Sequence, residues 1–283
     1  MGGLRVRLAT QEDRGRILAI SQRIWEGQDY VPVVLDRWIA EGGLIVAEVS
    51  GQVVGFAKTT ELAPGELWLE GLRVHPDHQG KGIAKALAQA QLERALAQKP
   101  RTIRLATVEE NVASLHIARA LGFKEVARFF YLEADVENRA FPSSLRPASF
   151  EEAWEFLRAS PALVEAQGFV GLGWRFRALS PALLEEFKEA GAIFALGSPP
   201  QGLLLLTPDP YTPKEIASLV FLDGDEGALP LLLSGAHAWA ASRGQKILAA
   251  MVAAPWLFTF LTRNGFQFVP ELGAVLVLEY SRT

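Results

Sequence analysis

The stretch VHPDHQGKGIAKAL, residues 74–87, sets two histidines directly against a glycine-rich turn, and its reading decides the fold. A strand-like run ends at Val74 and helical spacing begins near Gly82, so the stretch connects a strand to a helix. The first turn of a helix presents backbone N–H groups without intrahelical acceptors, together with partial positive charge. Gly80, Gly82 and the small Ala84 allow a diphosphate to approach those amides closely, and Lys81 adds a cation at the rim. Two readings stand on these residues alone: an anion cradle from Gln79 through Ile83 to Ala84, or a tight turn that binds nothing. A Walker loop is excluded, because it would need Gly at 75 and Ser or Thr at 82, where His75 and Gly82 stand. A dinucleotide fingerprint starting at Gly80 would need a small residue where Lys85 stands. The histidines offer zinc ligands, but helical i,i+4 spacing is missing and Pro76 interrupts them. They are read as a solvated turn, and no metal is expected.

The pattern extends outward in both directions. Residues 4–8 alternate as a strand, Thr10 is placed as an N-cap, and residues 42–62 read as a hairpin turning at Ser50-Gly51. Residues 66–74 form another strand, 82–98 an amphipathic helix, 102–108 a strand, 111–123 a helix closed by Gly122, and 125–134 a last strand. A further helix is expected over 33–40. Two prolines and polar residues at 137–149 suggest a linker.

The order then restarts. RPASFEEAWEFL (146–157) echoes RLATQEDRGRIL (7–18), residues 191–207 resemble the 43–59 hairpin, and PWLFTFLTRNGF ends in Gly265-Phe266 as the first half ends in Gly122-Phe123. Echoes in the same order indicate tandem duplication: an α/β chain of α+β type with a mixed sheet in each half, residues 1–140 and 141–283. The turn matching HQGKGIAKAL is DGDEGALPLL, residues 223–232. There Asp223, Asp225 and Glu226 stand where a diphosphate would sit, and close carboxylates repel phosphates. Pro230 is tolerated in a first helical turn, so this half is read as a degenerate copy that keeps the fold and loses the anion site.

LEGLRVHPDHQGKGIAKAL followed by NVASLHIARALGF resembles the acetyl-CoA core of the GNAT N-acetyltransferases, over roughly residues 4–135. The family signature Gln/Arg-x-x-Gly-x-Gly/Ala is met by Gln79, Gly82 and Ala84, and the later Asn…Gly-Phe helix by Asn111, Gly122 and Phe123. The resemblance implies that the backbone of Leu72, Arg73 and Val74 binds pantetheine. It implies that the amides from Gln79 through Gly80, Lys81, Gly82 and Ile83 to Ala84 hold the pyrophosphate, and that Asn111 contacts the pantetheine arm. Residues 27–38 with WLEGLRV are more loosely similar to the histidine N-acetyltransferase subgroup. That likeness implies a small-molecule amine or amino acid as acceptor and suggests Asp29 and Tyr30 for its pocket.

Amide formation from a thioester needs an unprotonated amine, an oriented carbonyl and an exit for the thiolate. The chain has no cysteine, so an acyl-cysteine intermediate is excluded and direct attack is expected. Two-residue alternation puts Trp68, Glu70, Leu72 and Val74 on one strand face and Arg73 on the other, which makes Glu70 the candidate base or amine anchor. Glu109 and Glu110 are weaker candidates. Many relatives carry a proton-donating tyrosine where this chain has Ala118. His116 lies about 200° around the helix from that position and cannot replace it. Tyr30 and Tyr131 are the other hydroxyl donors considered.

Composition narrows the partners. A net charge of −4 gives no support to nucleic-acid binding. No apolar run approaches the roughly 18 residues of a membrane span, and the first residues lack a signal-peptide core. A cytoplasmic protein is expected. A non-catalytic acyl-CoA-binding module is the alternative function.

Overall fold

The computed structural model describes residues 3–24, 27, 29–208 and 215–281. It divides into two compact units: residues 1–107, 111–125 and 278–283 form the first, and residues 108–110 and 126–277 the second. The chain passes into the second unit at Val126, inside a strand. The 137–149 segment read as a linker therefore lies within that unit. It is tied down at both ends: the Glu137 amide donates to His237 Nδ1 at 3.1 Å, and Leu145 packs beneath Gly235, where a Cβ would stand 2.5 Å from it.

The first unit opens with β1 (Leu4–Leu8), α1 (Arg14–Ser21) and α2 (Val31–Glu41). There follow β2 (Leu44–Val49), β3 (Gln52–Ala63), β4 (Glu66–Val74), α3 (Ile83–Ala97), β5 (Thr102–Val108), α4 (Val112–Ala120) and the start of β6 (Phe123–Asp135). Strands β1 to β5 lie side by side in chain order. Ser50 and Gly51 both adopt positive φ, 52° and 79°, the twist that suits a two-residue hairpin between β2 and β3. Ile83 and Leu87 of α3 pack on Ala47, Val54, Ala57 and Val74. Each fully buried Leu or Ile contributes about 1.5–3 kcal/mol, which holds the glycine turn rigidly at the end of β4. Residues from the far end of the sequence complete this unit. Glu279 accepts from Arg104 Nε at 2.5 Å, the Tyr280 ring meets Phe123 edge-on at 5.7 Å, and the Ser281 amide donates to Gly122.

The second unit contains β7 (Leu145–Pro147), α5 (Phe150–Ala159), α6 (Pro161–Glu165), β8 (Phe169–Leu172), β9 (Arg175–Ala178) and α7 (Pro181–Glu189). It continues with β10 (Ile193–Leu196), β11 (Gly202–Pro208), β12 (Ile216–Gly224), α8 (Ala228–Ser242), β13 (Ile247–Val252), α9 (Pro255–Arg263), β14 (Gln267–Phe268) and β15 (Ala274–Tyr280), whose last residues belong to the first unit. The order β6-β13-β12-β11-β10-β7 runs across its sheet, and β8–β9 forms a separate hairpin.

The repetition inferred from sequence is visible in the pairing. β4 is antiparallel to β3 and parallel to β5, while β12 is antiparallel to β11 and parallel to β13. Each strand is followed by a 15-residue helix, α3 and α8. Among the described residues, no helix is long and apolar enough to cross a membrane.

Candidate active site

The site grows out of an irregularity in β4. Arg73 lies opposite Phe56 and Glu70 opposite Lys58, so Gly71 and Leu72 together face Ala57 alone. This is a β-bulge, and Gly71 is its cause: its φ is +68°, and a Cβ there would come within 2.6 Å of the Trp38 ring. The bulge overturns the strict alternation expected from sequence. Glu70 and Arg73 share a face with Lys58 and Phe56, whereas Val74 turns to the opposite face and packs under α3.

The same strand parts from β5. Parallel pairing covers only Glu66–Trp68 against Thr102–Arg104, so residues 69–74 and 105–107 diverge. Along that opening the Leu72 carbonyl accepts from Arg73 Nη1 at 3.2 Å and the Val74 carbonyl from Gln79 Nε2 at 3.3 Å. Both backbone acceptors thus take their hydrogen bonds from side chains.

Beyond Val74 the His75 amide donates to Val54, and a short 3-10 turn covers Pro76–His78. His75 is buried, unlike the solvated histidine expected. Its Nδ1 accepts the Asp77 amide at 3.3 Å, and burial lowers its pKa below 6.5, which keeps the acceptor nitrogen unprotonated. Among the described residues, no group of three His, Asp or Glu side chains is arranged to hold a metal. Lys81 is exposed and donates to the Asp77 carbonyl at 2.9 Å.

Gly80 and Gly82 have φ of +72° and +77°, and a Cβ on either would meet only open space. Gly82 is the N-cap of α3, and no side chain caps the helix. The Ala86 amide is bonded to Gly82, and the N–H groups of a helix's first turn before that bond have no intrahelical acceptor. Ile83 sinks its side chain into the core and half-buried Ala84 packs beside it, fixing the amides they carry. Exposed Asn111 caps α4, its Oδ1 accepting from the Ser114 amide at 3.1 Å.

On the other face, Glu70 is half-buried and accepts from Thr60 Oγ1 at 2.6 Å. Asp29 differs from what the resemblance suggests. Its side chain is 0 % exposed, and its two oxygens receive Arg73 Nε and Nη2, both at 3.2 Å, Ser21 Oγ at 2.9 Å and the Val31 amide at 3.4 Å. With four donors already seated, Asp29 holds Arg73 and the start of α2 in place and has nothing left to offer a substrate. Tyr30 sits beside this pair: the Arg73 guanidinium lies 5.7 Å from its ring, and Trp38 meets it edge-on at 5.9 Å.

Lys58 was missed by sequence reading. Its ammonium, 2 % exposed, donates to the Gly42 carbonyl at 2.6 Å and pairs with Glu41 at 3.4 Å. A lysine amid the apolar run QVVGFAK was the available signal. Ala118 is buried, and His116 is exposed on α4. Glu109, Glu110 and Tyr131 fall in the second unit, where Glu109 pairs with Arg128 at 3.0 Å and Tyr131 donates to Glu133 at 2.8 Å.

Residues 15–123 match the model of the Acetyltransferase (GNAT) family. A histidine N-acetyltransferase from Scomber australasicus is 37% identical over 101 residues, which are 35% of this chain and 30% of that protein. An L-methionine sulfoximine/L-methionine sulfone acetyltransferase from Pseudomonas aeruginosa is 34% identical over 89 residues, 29% of this chain and 49% of that protein. The match thus spans less than half the length of either relative. A GCN5-related N-acetyltransferase from Sphaerobacter thermophilus has the same fold, with a TM-score of 0.66 at 12% identity over 98% of this chain and 95% of that one. A tandem GNAT protein from the clavulanic acid biosynthesis pathway superposes with a TM-score of 0.59 at 15% identity, covering 98% of both chains.

Proposed function

We propose that this chain, whose residues 15–123 match the acetyltransferase (GNAT) family, transfers acetyl from acetyl-CoA directly to the primary amine of a small molecule or amino acid. The observation that carries this reading is the uncapped start of α3, reached through two open positive-φ glycines, beside the divergence of β4 from β5. These features fit the co-substrate. Amides at a helix start suit a diphosphate, and an unpaired strand edge suits the amides of an extended pantetheine arm. Acetyl-CoA supplies the activated acyl group.

The acceptor amine arrives mostly protonated at neutral pH, and Glu70 takes its proton, held in orientation by Thr60. The amine nitrogen then bonds the acyl carbon, the carbon–sulfur bond breaks, coenzyme A leaves as the thiolate, and the second proton shed by the nitrogen passes through solvent to that sulfur. Leu72 and Val74 are the backbone groups assigned to pantetheine, and Gln79–Ala84 those assigned to the diphosphate. Asn111, already capping α4 through its oxygen, has its amide nitrogen as donor toward the arm. Tyr30 walls the acceptor side, and Asp29 acts on that wall through Arg73. The relatives acting on histidine and on methionine derivatives favour an amino acid as acceptor.

We read the second unit as a copy that has lost acetyl-CoA binding. One observation favours a binding module over an enzyme: Ala118 is buried and offers no hydroxyl to protonate the leaving thiolate. Release of free thiol from acetyl-CoA across a panel of amino acids separates the two. Glu70→Gln is expected to lower kcat by about 10²–10⁴-fold and to alter the pH–rate profile. Silence across the panel with intact acetyl-CoA binding would establish the module, and an unchanged profile would remove Glu70 from its role.

A further inference from the structure

We infer that Trp38 and Gln91 clamp the bulge of β4 from opposite faces of the sheet and act as positioning residues for acetyl transfer, a role that rests on the reading of Glu70 as the base. The bulge is what the proposed chemistry depends on. It places Glu70 and Arg73 on one face, and its own residues, Gly71 and Leu72, lead into the backbone assigned to pantetheine. A bulge also breaks the hydrogen-bonded ladder locally, so its geometry has to be held from outside the two strands.

On one face the holder is Trp38. The indole is 0 % exposed, comes from the middle of α2 and lays the far edge of its six-membered ring on Gly71. A Cβ at Gly71 would stand 2.6 Å from Trp38 Cη2, 2.8 Å from Cζ3 and 3.8 Å from Lys58 Cβ, which puts the ring on the Lys58 face. The φ of +68° at Gly71 is the conformation the bulge needs, and the ring above it leaves no room for a side chain. Trp38 Nε1 is buried and finds no acceptor among the described residues. Such a donor is destabilising, and phenylalanine would avoid it. Phenylalanine, however, lacks the two atoms that meet Gly71, so the chain keeps the longer ring where its reach is used.

On the other face the holder is Gln91. It is buried on α3, the helix that begins at the glycine turn and packs on the Ala57 and Val74 side. Its Nε2 donates to the Lys58 carbonyl at 2.6 Å. Lys58 lies opposite Glu70 and next to Ala57, which both bulge residues face. The clamp therefore joins the two sides of the site. Tyr30, at the start of α2, meets Trp38 edge-on, and Asp29 beside it grips Arg73. Acceptor wall and diphosphate helix are both fastened to one deformation of β4, and the position of the base relative to the acyl group is set there.

The test uses the full chain. Trp38→Phe removes the atoms that lie on Gly71, and Gln91→Leu removes the bond to Lys58 with little change in shape. Gln89→Leu, at an exposed position on the same helix, is the control. Backbone amide exchange across residues 69–74, read by mass spectrometry, is expected to quicken about tenfold or more in the two clamp variants and to stay unchanged in the control. Free-thiol release from acetyl-CoA across the same amino acid panel is expected to show kcat lowered about tenfold or more in each clamp variant, since a misplacement of about 1 Å can cost about a hundredfold. A double-mutant cycle reads the contact itself. Gly71→Ala is expected to lower kcat at least about fivefold more in the parent chain than in Trp38→Phe, where its methyl group finds room. Circular dichroism establishes folding, and because the two residues act from separate helices, one variant decides should the other fail to fold. Unchanged exchange at 69–74, unchanged kcat despite quickened exchange, or equal Gly71→Ala losses in the two backgrounds overturns the clamp. Failure of the underlying reading looks different: Glu70→Gln would then turn over as fast as the parent, while exchange at 69–74 still answers to Trp38 and Gln91.

Discussion

The turn after β4 and the turn after β12 are two solutions to one problem: how to start a 15-residue helix at the end of a bulged strand. In the first, the helix start has no side-chain cap, and Gly80 and Gly82 hold positive φ in open space. In the second, Asp225 caps its own helix, and neither Gly224 nor Gly227 adopts positive φ. Gly224 is also closed in, since a Cβ there would lie 2.9 Å from the Gly202 backbone. One turn leaves the start of its helix without a side-chain acceptor, and the other supplies one internally. The residue before each turn repeats the contrast. Arg73 grips the start of α2 through Asp29, while Asp223 takes the start of α6 directly. Both units anchor a helix to the strand just past its bulge, with opposite charge, so the same scaffold is kept with different chemistry.

Exchanging the features of the two turns gives the largest expected effect. Gly82→Glu is expected to weaken acetyl-CoA binding by about a hundredfold or more, through strained backbone and a carboxylate at the anion position. Asp225→Ala is expected to leave it unchanged in the same calorimetric titration. Equal effects at the two turns would erase the distinction.

Next comes the anchoring pair. Asp29→Asn leaves Arg73 with a neutral partner in a buried setting, and we expect about 3 kcal/mol of lost stability in urea unfolding together with a raised KM for the amine. Asp225→Ala itself is expected to cost about 1 kcal/mol, the usual net value of one hydrogen bond, here from the Ala228 amide.

The smallest effect is set by pH. Burial lowers the pKa of His75 in the folded chain, so between that value and 6.5 the unfolded chain binds more protons. The His75 contribution is therefore complete above about pH 6.5 and lost as pH falls through the folded value. Thermal unfolding from pH 7.5 to 5 should show this loss. His75→Asn, which keeps an acceptor for the Asp77 amide without a titrating ring, should flatten it.

Much of this was legible in the residues. The strand–turn–helix at 74–87, the hairpin at Ser50-Gly51 and the echo between halves each rest on local chemistry that tertiary structure does not override. The faces of β4 were not legible: alternation grouped Glu70 with Val74 and apart from Arg73, because it assumes an unbroken strand. Gly71 within LEGLRV was the mark of the bulge, and a glycine inside a strand commonly signals one. The role of Asp29 was hidden for another reason. Whether a carboxylate faces a substrate or an arginine depends on a partner 44 residues away, about which spacing is silent. Residues 161–178, with α6 and the β8–β9 hairpin, have no counterpart in the first half and so produced no echo. His75 was misjudged because a short polar turn reads as solvated even when the chain folds back over it.

The pairing of Glu279, Tyr280 and Ser281 with Arg104, Phe123 and Gly122 has a consequence for synthesis. Domains usually fold as they leave the ribosome, N-terminal first. Here the first unit emerges early yet lacks one of its own strand segments until all of residues 126–277 have been translated. Until then β5 presents an unpaired edge, the kind of surface that recruits foreign strands. A message interrupted before codon 278 would release a chain whose glycine turn is already encoded but whose sheet is unfinished. Such a product should be retained by chaperones rather than accumulate as an active fragment.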